Sequence, residues 1–319
     1  MNTAKLGIVA LGLTLATTAA ISQTPTWLPP AEKDRCPSKW GAADQRGSAN
    51  HVKPASILKA AQMIKTGEMI ELAHVLNDKM PFFGTRRFDM HIKRTFLNQP
   101  ANKRGSNEEI VISEIGQVGT QFDGFAHQSH EDSLYNCNKI SEIAGRTGFT
   151  KLGIHQVGTI MSRGVMIDVA AYKGVATLPD TYEITVEDLE GALKKQGTTL
   201  QPGDAILINT GWHKLWAVDN ARYVKSCPGI GLSAAQWLIA KDPVLLGADN
   251  WPVEVSPNPD PMISLPVHQL ALVVHGVHLL ENLKLDDLAA KQVYEFAFMM
   301  QPMKMQGASG STVAPVAVR

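Results

Sequence analysis

Short apolar runs alternate along this chain with stretches that are apolar on one helical face and polar on the other. Residues 109–115, 165–169, 205–210 and 244–248 are compact runs rich in β-branched and aliphatic side chains. Buried on both faces, such runs suit central strands. Helical patterns lie between and before them. Residues 54–65 open on Pro54, whose fixed φ and missing N–H suit a first turn, and stop before Gly67; a strand at 69–76 follows. Thr185 is placed to cap a helix reaching Gln196, with Glu187 and Asp188 in its positive first turn. Ser233 and Gln236 have capping-box spacing ahead of Trp237, Leu238 and Ile239. The alternation predicts an α/β fold, a single domain with a central mixed β-sheet flanked by helices. Two proline-bearing polar segments, 77–107 and 249–264, are long for plain connections and are candidate lids over a site.

The first residues follow another rule. Lys5 gives a positive start, residues 6–16 an apolar run and residues 17–22 a small-residue tail. This is the pattern of a secretory leader over 1–22, leaving one catalytic domain over 23–319 in the periplasm or outside the cell. Thirty basic residues balance thirty acidic ones, which removes the electrostatic case for nucleic acid or an anionic membrane as partner. A small molecule is the expected partner. Cys36, Cys137 and Cys227 lack the spacing of a structural zinc site. One pair forming a disulfide and three free thiols are both open, and the sequence does not choose a pair.

The densest chemistry lies at 116–130, GQVGTQFDGFAHQSH. Gln117, Gln121, Asp123 and His127 reach one pocket only if the segment bends, and Gly119 permits a sharp turn there. Asp123 offers a hard anionic oxygen, and His127 and His130 offer imidazoles that titrate near neutrality. The two residues best spaced to be ligands are amides.

This segment resembles the signature of the cyclase superfamily that includes bacterial kynurenine formamidase and isatin hydrolase, His-x-Gly-Thr-His-x-Asp-x-Pro-x-His. Gly119, Thr120, Asp123 and His127 match it; the two ligand histidines fall on Gln117 and Gln121, and the proline on Phe125. Further likenesses follow in order: WGAADQRGSAN at 40–50, SRGVMIDV at 162–169, GDAILINTGW at 203–212, Pro228-Gly229-Ile230, then His268 and Glu281-Asn282-Leu283, and the close over 307–318.

The resemblance implies a swivelling β/α/β fold, a homodimer and a divalent metal ion, manganese or zinc, that activates water against an amide or lactam carbon. It makes His127 the acid–base and Asp123 a ligand and catalytic partner, with His268 and Glu281 as second-site ligands. Gln117 and Gln121 would then either ligate a hard ion through their carbonyl oxygens or, with no metal, hold a substrate carbonyl. Phe125 and Trp212 are expected to line the substrate pocket, with Trp251 as another aromatic wall. Arg163 is expected in a structural ion pair, and His278 shares a face with Glu281 if the two lie on a helix.

The activity expected is an exported hydrolase of an amide, lactam, formamide or lactone bond in a small aromatic or cyclic compound. The alternatives are a metal-free cyclase or dehydratase using His127 and Asp123, and a ligand-binding protein that has lost catalysis.

Overall fold

The computed structural model describes residues 24–95 and 101–319, so the leader expected over 1–22 lies outside the described residues. Its centre is a nine-stranded sheet: β1 (Met69–Glu71), β2 (Gln121–Asp123), β3 (Ile160–Asp168), β4 (Ala205–Asn209), β5 (Leu245–Ala248), β6 (His278–Glu281), β7 (Glu295–Met300), β8 (Gly310–Thr312) and β9 (Val316–Val318). The spatial order is β1-β9-β7-β3-β4-β5-β6-β2-β8. Strands β3 to β6 run parallel, and the pairs on both sides of them are antiparallel.

In that order β8 and β9 are seven steps apart, although only residues 313–315 separate them in sequence. Seven steps across a flat sheet are about 34 Å. Four residues of extended chain span at most about 14 Å. The sheet therefore curls until its ends approach. The seam is closed by the Leu72 N–H to Pro315 C=O bond, the Lys284 N–H to Leu72 C=O bond and an Ala73–Leu283 bridge.

The expected central strands at 165–169, 205–210 and 244–248 are all in this sheet, and their alternate residues serve two cores. Val165, Ile167, Ile206, Ile208, Leu246 and Ala248 face one, with Leu189, Ala192 and Leu193 of the helix Val186–Gln196 and Ala234, Ala235 and Leu238 of the helix Leu232–Ile239. Met166, Ala205, Leu207 and Leu245 face the other, with Phe296 and Phe298. Burying a side chain of this size contributes about 1.5–3 kcal/mol, which is why residues 165–167, 205–208 and 244–246 are apolar at successive rather than alternate positions.

Thr185 caps its helix as expected: its side chain accepts the Asp188 N–H at 3.3 Å, and Asp188 accepts the Thr185 N–H at 3.2 Å. Other boundaries differ. The helix expected over 54–65 is Pro54–Ala61, and the strand expected over 69–76 shortens to β1. Ser233 caps nothing, because the helix starts at Leu232 with Gly231 as its N-cap. Residues 109–115 form no central strand. Ser106–Ser113 pairs only with Phe88–Thr95 in a projecting hairpin, and Ile110, Val111 and Ile112 are exposed. Those three aliphatics are flanked by Glu108, Glu109 and Glu114, charges that suit a solvent-facing ribbon and not a strand covered on both faces. Cys36 is bonded to Cys137, and Cys227 is a buried free thiol. No helix among the described residues is long and apolar enough to cross a membrane.

Candidate active site

β2 and β6 pair antiparallel with Gln121 opposite Glu281 and Asp123 opposite Leu279. Opposed residues share a face and neighbours alternate, so Gln121, Asp123 and Glu281 stand together on one side. His278 is on the opposite side of β6. The helix face expected for it does not exist, because the segment is a strand; its ring stacks on Phe125 at 4.1 Å. Gln117 enters from the turn before β2. Gly119 has φ 67° there, a left-handed conformation that favours glycine, and a Cβ would also have to push aside the Leu76 Cδ2 methyl. His127 follows β2 on a tight turn closed by its own N–H to the Gly124 carbonyl, 3.1 Å. His268 ends the turn Pro266–His268 and leads into a π-helix, Gln269–His275, a form often found at functional sites.

These groups form one network. Gln117 Nε2 donates to Asp123 Oδ1 at 3.0 Å and lies 3.2 Å from His127 Nδ1. Gln121 Nε2 donates to Glu281 Oε2 at 2.5 Å. His268 bridges two acids, with Nδ1 2.7 Å from Glu254 Oε1 and Nε2 3.1 Å from Glu281 Oε1. Glu254, wholly buried, also accepts the backbone N–H groups of Val267 and His268 at 3.0 and 2.9 Å. One oxygen is left over. Asp123 Oδ2 is buried without a hydrogen-bond partner, 3.7 Å from His268 Nε2 and 3.8 Å from His127 Nε2.

The pairing fixes protonation. Gln117 Nε2 is committed to Asp123 by charge and turns its second hydrogen toward His127 Nδ1, which favours the neutral tautomer with its proton on Nε2 over the one that would accept from Gln128 Nε2, the longer contact at 3.4 Å. Burial holds the His127 pKa below the usual imidazole value, with the Asp123 charge opposing. Burial also disfavours charge on His268, but its hydrogen bonds to Glu254 and Glu281 prevail and hold its proton well above the ordinary range. Burial, reinforced by Asp123, raises Glu281 to about 7.

Asp123, His127 and His268 each offer an atom within 4.8 Å of the others. The free oxygen of Asp123, 3.7 Å from His268 Nε2, and Glu281 Oε1, 3.1 Å from the same nitrogen, put hard oxygens on either side of an imidazole, donor types suited to a divalent ion. Glu254 on the other nitrogen of His268 completes the carboxylate–histidine arrangement that orients metal-bound imidazoles. The site therefore fits an ion, which would take the place of the Nε2 proton. Gln117 and Gln121 enter differently from expectation. Their amide nitrogens, not their carbonyl oxygens, face the carboxylates, so each orients one acid and leaves its other oxygen for a ligand.

Above this floor is a cavity of about 630 Å³ lined by His127, Gln117, Phe83, Arg86, Trp251 and several residues of the 249–264 segment. Phe83 and Trp251 pack at 4.7 Å, tilted by 31°, and form an aromatic wall. Both expected lid segments thus contribute to the pocket. Two expected lining residues do not. Phe125 is buried between Tyr135 and His278, and Trp212 is wholly buried in a separate cluster with Tyr223 and Cys227, its Nε1 donating to the Tyr223 carbonyl at 3.2 Å. Large aromatic side chains fill cores as readily as pockets, and these two were drawn inward. Arg163 is structural as expected, 2.9 Å from Asp204 and 3.0 Å from Glu295. Sequence reasoning missed Glu254, Phe83 and Arg86. The signal for Glu254 was an acid between Val253 and Val255, where a buried run would otherwise continue.

The family described as "Putative cyclase" matches residues 70–255, more than half of the chain. The chain belongs to the cyclase family. A solved structure described as a novel cyclase is 34% identical, with 88% of this chain and 98% of that one covered and a TM-score of 0.80. Isatin hydrolase A from Labrenzia aggregata, bound to benzyl benzoate, is 20% identical over 81% of this chain and 94% of its own, with a TM-score of 0.58. Isatin hydrolase A from Ralstonia solanacearum is 21% identical over 84% and 98%, with a TM-score of 0.57. At these identities the isatin hydrolases share the cyclase-family fold. No curated protein matches by sequence.

Proposed function

We propose that this cyclase-family protein is an exported hydrolase that opens an amide, lactam or lactone bond in a small aromatic or cyclic compound. The observation that carries the reading is the unpartnered, buried Asp123 Oδ2, set between His268 and His127 at the floor of an aromatic-walled pocket. Isatin, named for two of the structural neighbours, is an aromatic lactam, and that class suits the wall of Phe83 and Trp251. The Cys36–Cys137 bond supports an oxidising compartment, and a homodimer belongs to the same proposal.

A divalent ion, manganese or zinc, held by Asp123, Glu281 and His268 would supply Lewis acidity toward a carbonyl and a water. The chain's own residues manage orientation and protons. Gln117 and Gln121 fix the two carboxylates, and Glu254 fixes the His268 ring. His127 gives its Nε2 proton to the leaving nitrogen or oxygen as that bond breaks, and a proton from water restores the ring. The rest of the water ends on the acyl carbon. The 249–264 segment shields the reacting centre from bulk solvent.

Elemental analysis of purified protein, beside turnover of isatin, formanilide and a small aryl lactone, tests the reading. The expected result is about one ion per chain, lost in Asp123→Ala, with turnover lost in His127→Ala while the ion is kept. A folded protein that stays metal-free after incubation with manganese and zinc sinks the metal-assisted mechanism. One observation favours a second reading. Gln117 and Gln121 already satisfy a carboxylate oxygen each, so a metal-free network in which His127 and Asp123 move protons on a cyclase or dehydratase substrate is self-consistent.

A further inference from the structure

The pocket contains a guanidinium with no acid within ion-pair distance among the described residues. Arg86 lines it next to Gln117, His127 and Gln128, and its Nη1 donates to the Gln117 backbone carbonyl at 3.2 Å. Its neighbour Arg87 pairs with Asp89 at 3.2 Å and gives its backbone N–H to Glu114, whereas Arg86 has no carboxylate within ion-pair distance among the described residues, Glu114 feeling its charge from further away. A guanidinium has five N–H donors in a planar fork suited to a carboxylate, and Arg86 commits only one of them to the chain. The cation sits at the end of the aromatic wall, 5.7 Å from the Phe83 ring, which packs in turn on Trp251.

Charge is distributed unevenly over this cavity. Its floor carries Glu281 with Asp123 beneath, and Arg86 is the lining side chain with a permanent positive charge. On that floor the His268 ring stands among Glu254, Glu281 and Asp123, three carboxylates to one imidazole, so an anionic group is favoured at Arg86 instead. Gln117 ties the two ends together, its backbone carbonyl holding Arg86 and its side-chain amide holding Asp123 and His127. A single-ring ligand with a carboxylate would thus lie along the Phe83–Trp251 wall in one orientation.

We infer that the pocket selects an aromatic carboxylate, with Arg86 binding the carboxylate and directing the opposite end of the ring toward His127 and Asp123. Read as substrate selection, this rests on the hydrolase proposal above and makes Arg86 a specificity-determining residue. Read as binding, it stands without it.

Benzoate and benzamide differ in this charge and little in shape, and their binding can be followed calorimetrically with and without EDTA. The wild-type protein should bind benzoate about tenfold or more tightly than benzamide, the size of one charge-assisted contact. In Arg86→Gln the two should bind alike, and in Arg86→Lys part of the preference should survive, since the charge stays and the fork is lost. The preference should persist in EDTA. Equal binding of the two probes by wild-type protein overturns the inference, and that comparison needs no variant. So does a preference that survives in folded Arg86→Gln, or one that vanishes in EDTA, which would make an ion the anion receptor. Because nothing here is read from turnover, failure leaves the hydrolase proposal standing, and an inactive protein can still pass.

Discussion

Replacing Gln121 by leucine removes one amide while keeping most of the side chain's bulk. In the folded protein Glu281 Oε2 has Gln121 Nε2 as its donor, and both residues are 2% exposed, so water cannot step in. Leaving a buried charged acceptor unpaired costs about 2–3 kcal/mol. How much of that is seen depends on pH, because Glu281 can escape by holding a proton. Its folded pKa, about 7, lies above the ordinary value of 4.5, so folding favours the protonated acid and this group's contribution declines as pH rises from 4.5 through 7. At pH 7 the escape is nearly free, and Gln121→Leu should destabilise by under about 1 kcal/mol. At pH 9 the proton is two pH units away, roughly 3 kcal/mol, and the whole 2–3 kcal/mol should appear. Urea denaturation of metal-stripped protein at the two pH values, with m unchanged, measures the difference. A loss of the same size at both, or one below about 0.5 kcal/mol at pH 9, would refute the assignment of Gln121 as the donor that keeps Glu281 ionised.

Three other outcomes follow from groups outside the site. Burial, then the charge of His213, lowers His74 to about 4, below its unfolded value of 6.5. Its contribution is complete above pH 6.5 and is lost as pH falls from 6.5 to 4, up to about 3 kcal/mol; His74→Phe, which can keep the stack on Trp216, should flatten the melting temperature across that window. Arg163→Met leaves Asp204 buried without its partner and should cost about 3–5 kcal/mol in urea, with benzoate binding unchanged in the folded protein. The Cys36–Cys137 bond closes a span of 101 residues, so reduction should remove about 2–5 kcal/mol, visible as a lower melting temperature in dithiothreitol. A melting curve indifferent to reductant would show that the crosslink contributes nothing.

What the sequence made legible was local or strongly patterned. The helix capped by Thr185 carries its start signal within four residues, and the strands are apolar without a break at 165–167 and 205–208 because both faces are covered. Asp123 and His127 were legible through the family signature they retain. The roles of Gln117 and Gln121 were not, because an amide can face a carboxylate or a metal with opposite ends and only the tertiary arrangement decides. Glu254 and Arg86 come from segments outside the signature; the apolar neighbours of Glu254 mark it as buried, but nothing local ties it to His268 or Arg86 to the pocket. Residues 109–115 misled because apolar content alone does not say whether a sheet position is free. Phe125 and Trp212 misled because aromatic identity does not say whether a ring faces a cavity or a core.

The curled sheet has a consequence for how the protein comes into being. A single stretch near the end of the chain, Gly310–Thr312 followed by Val316–Val318, pairs β2 on one side of the curl and both β1 and β7 on the other. Asp123 is synthesised before half of the chain has been made, yet its strand lacks an edge partner until residue 310 has emerged. Synthesis runs from the N-terminus, so a growing polypeptide can build the parallel centre of the sheet while its ends stay apart. The strand that carries Asp123 therefore gains its second partner only after Glu281, on its first partner, has already been made.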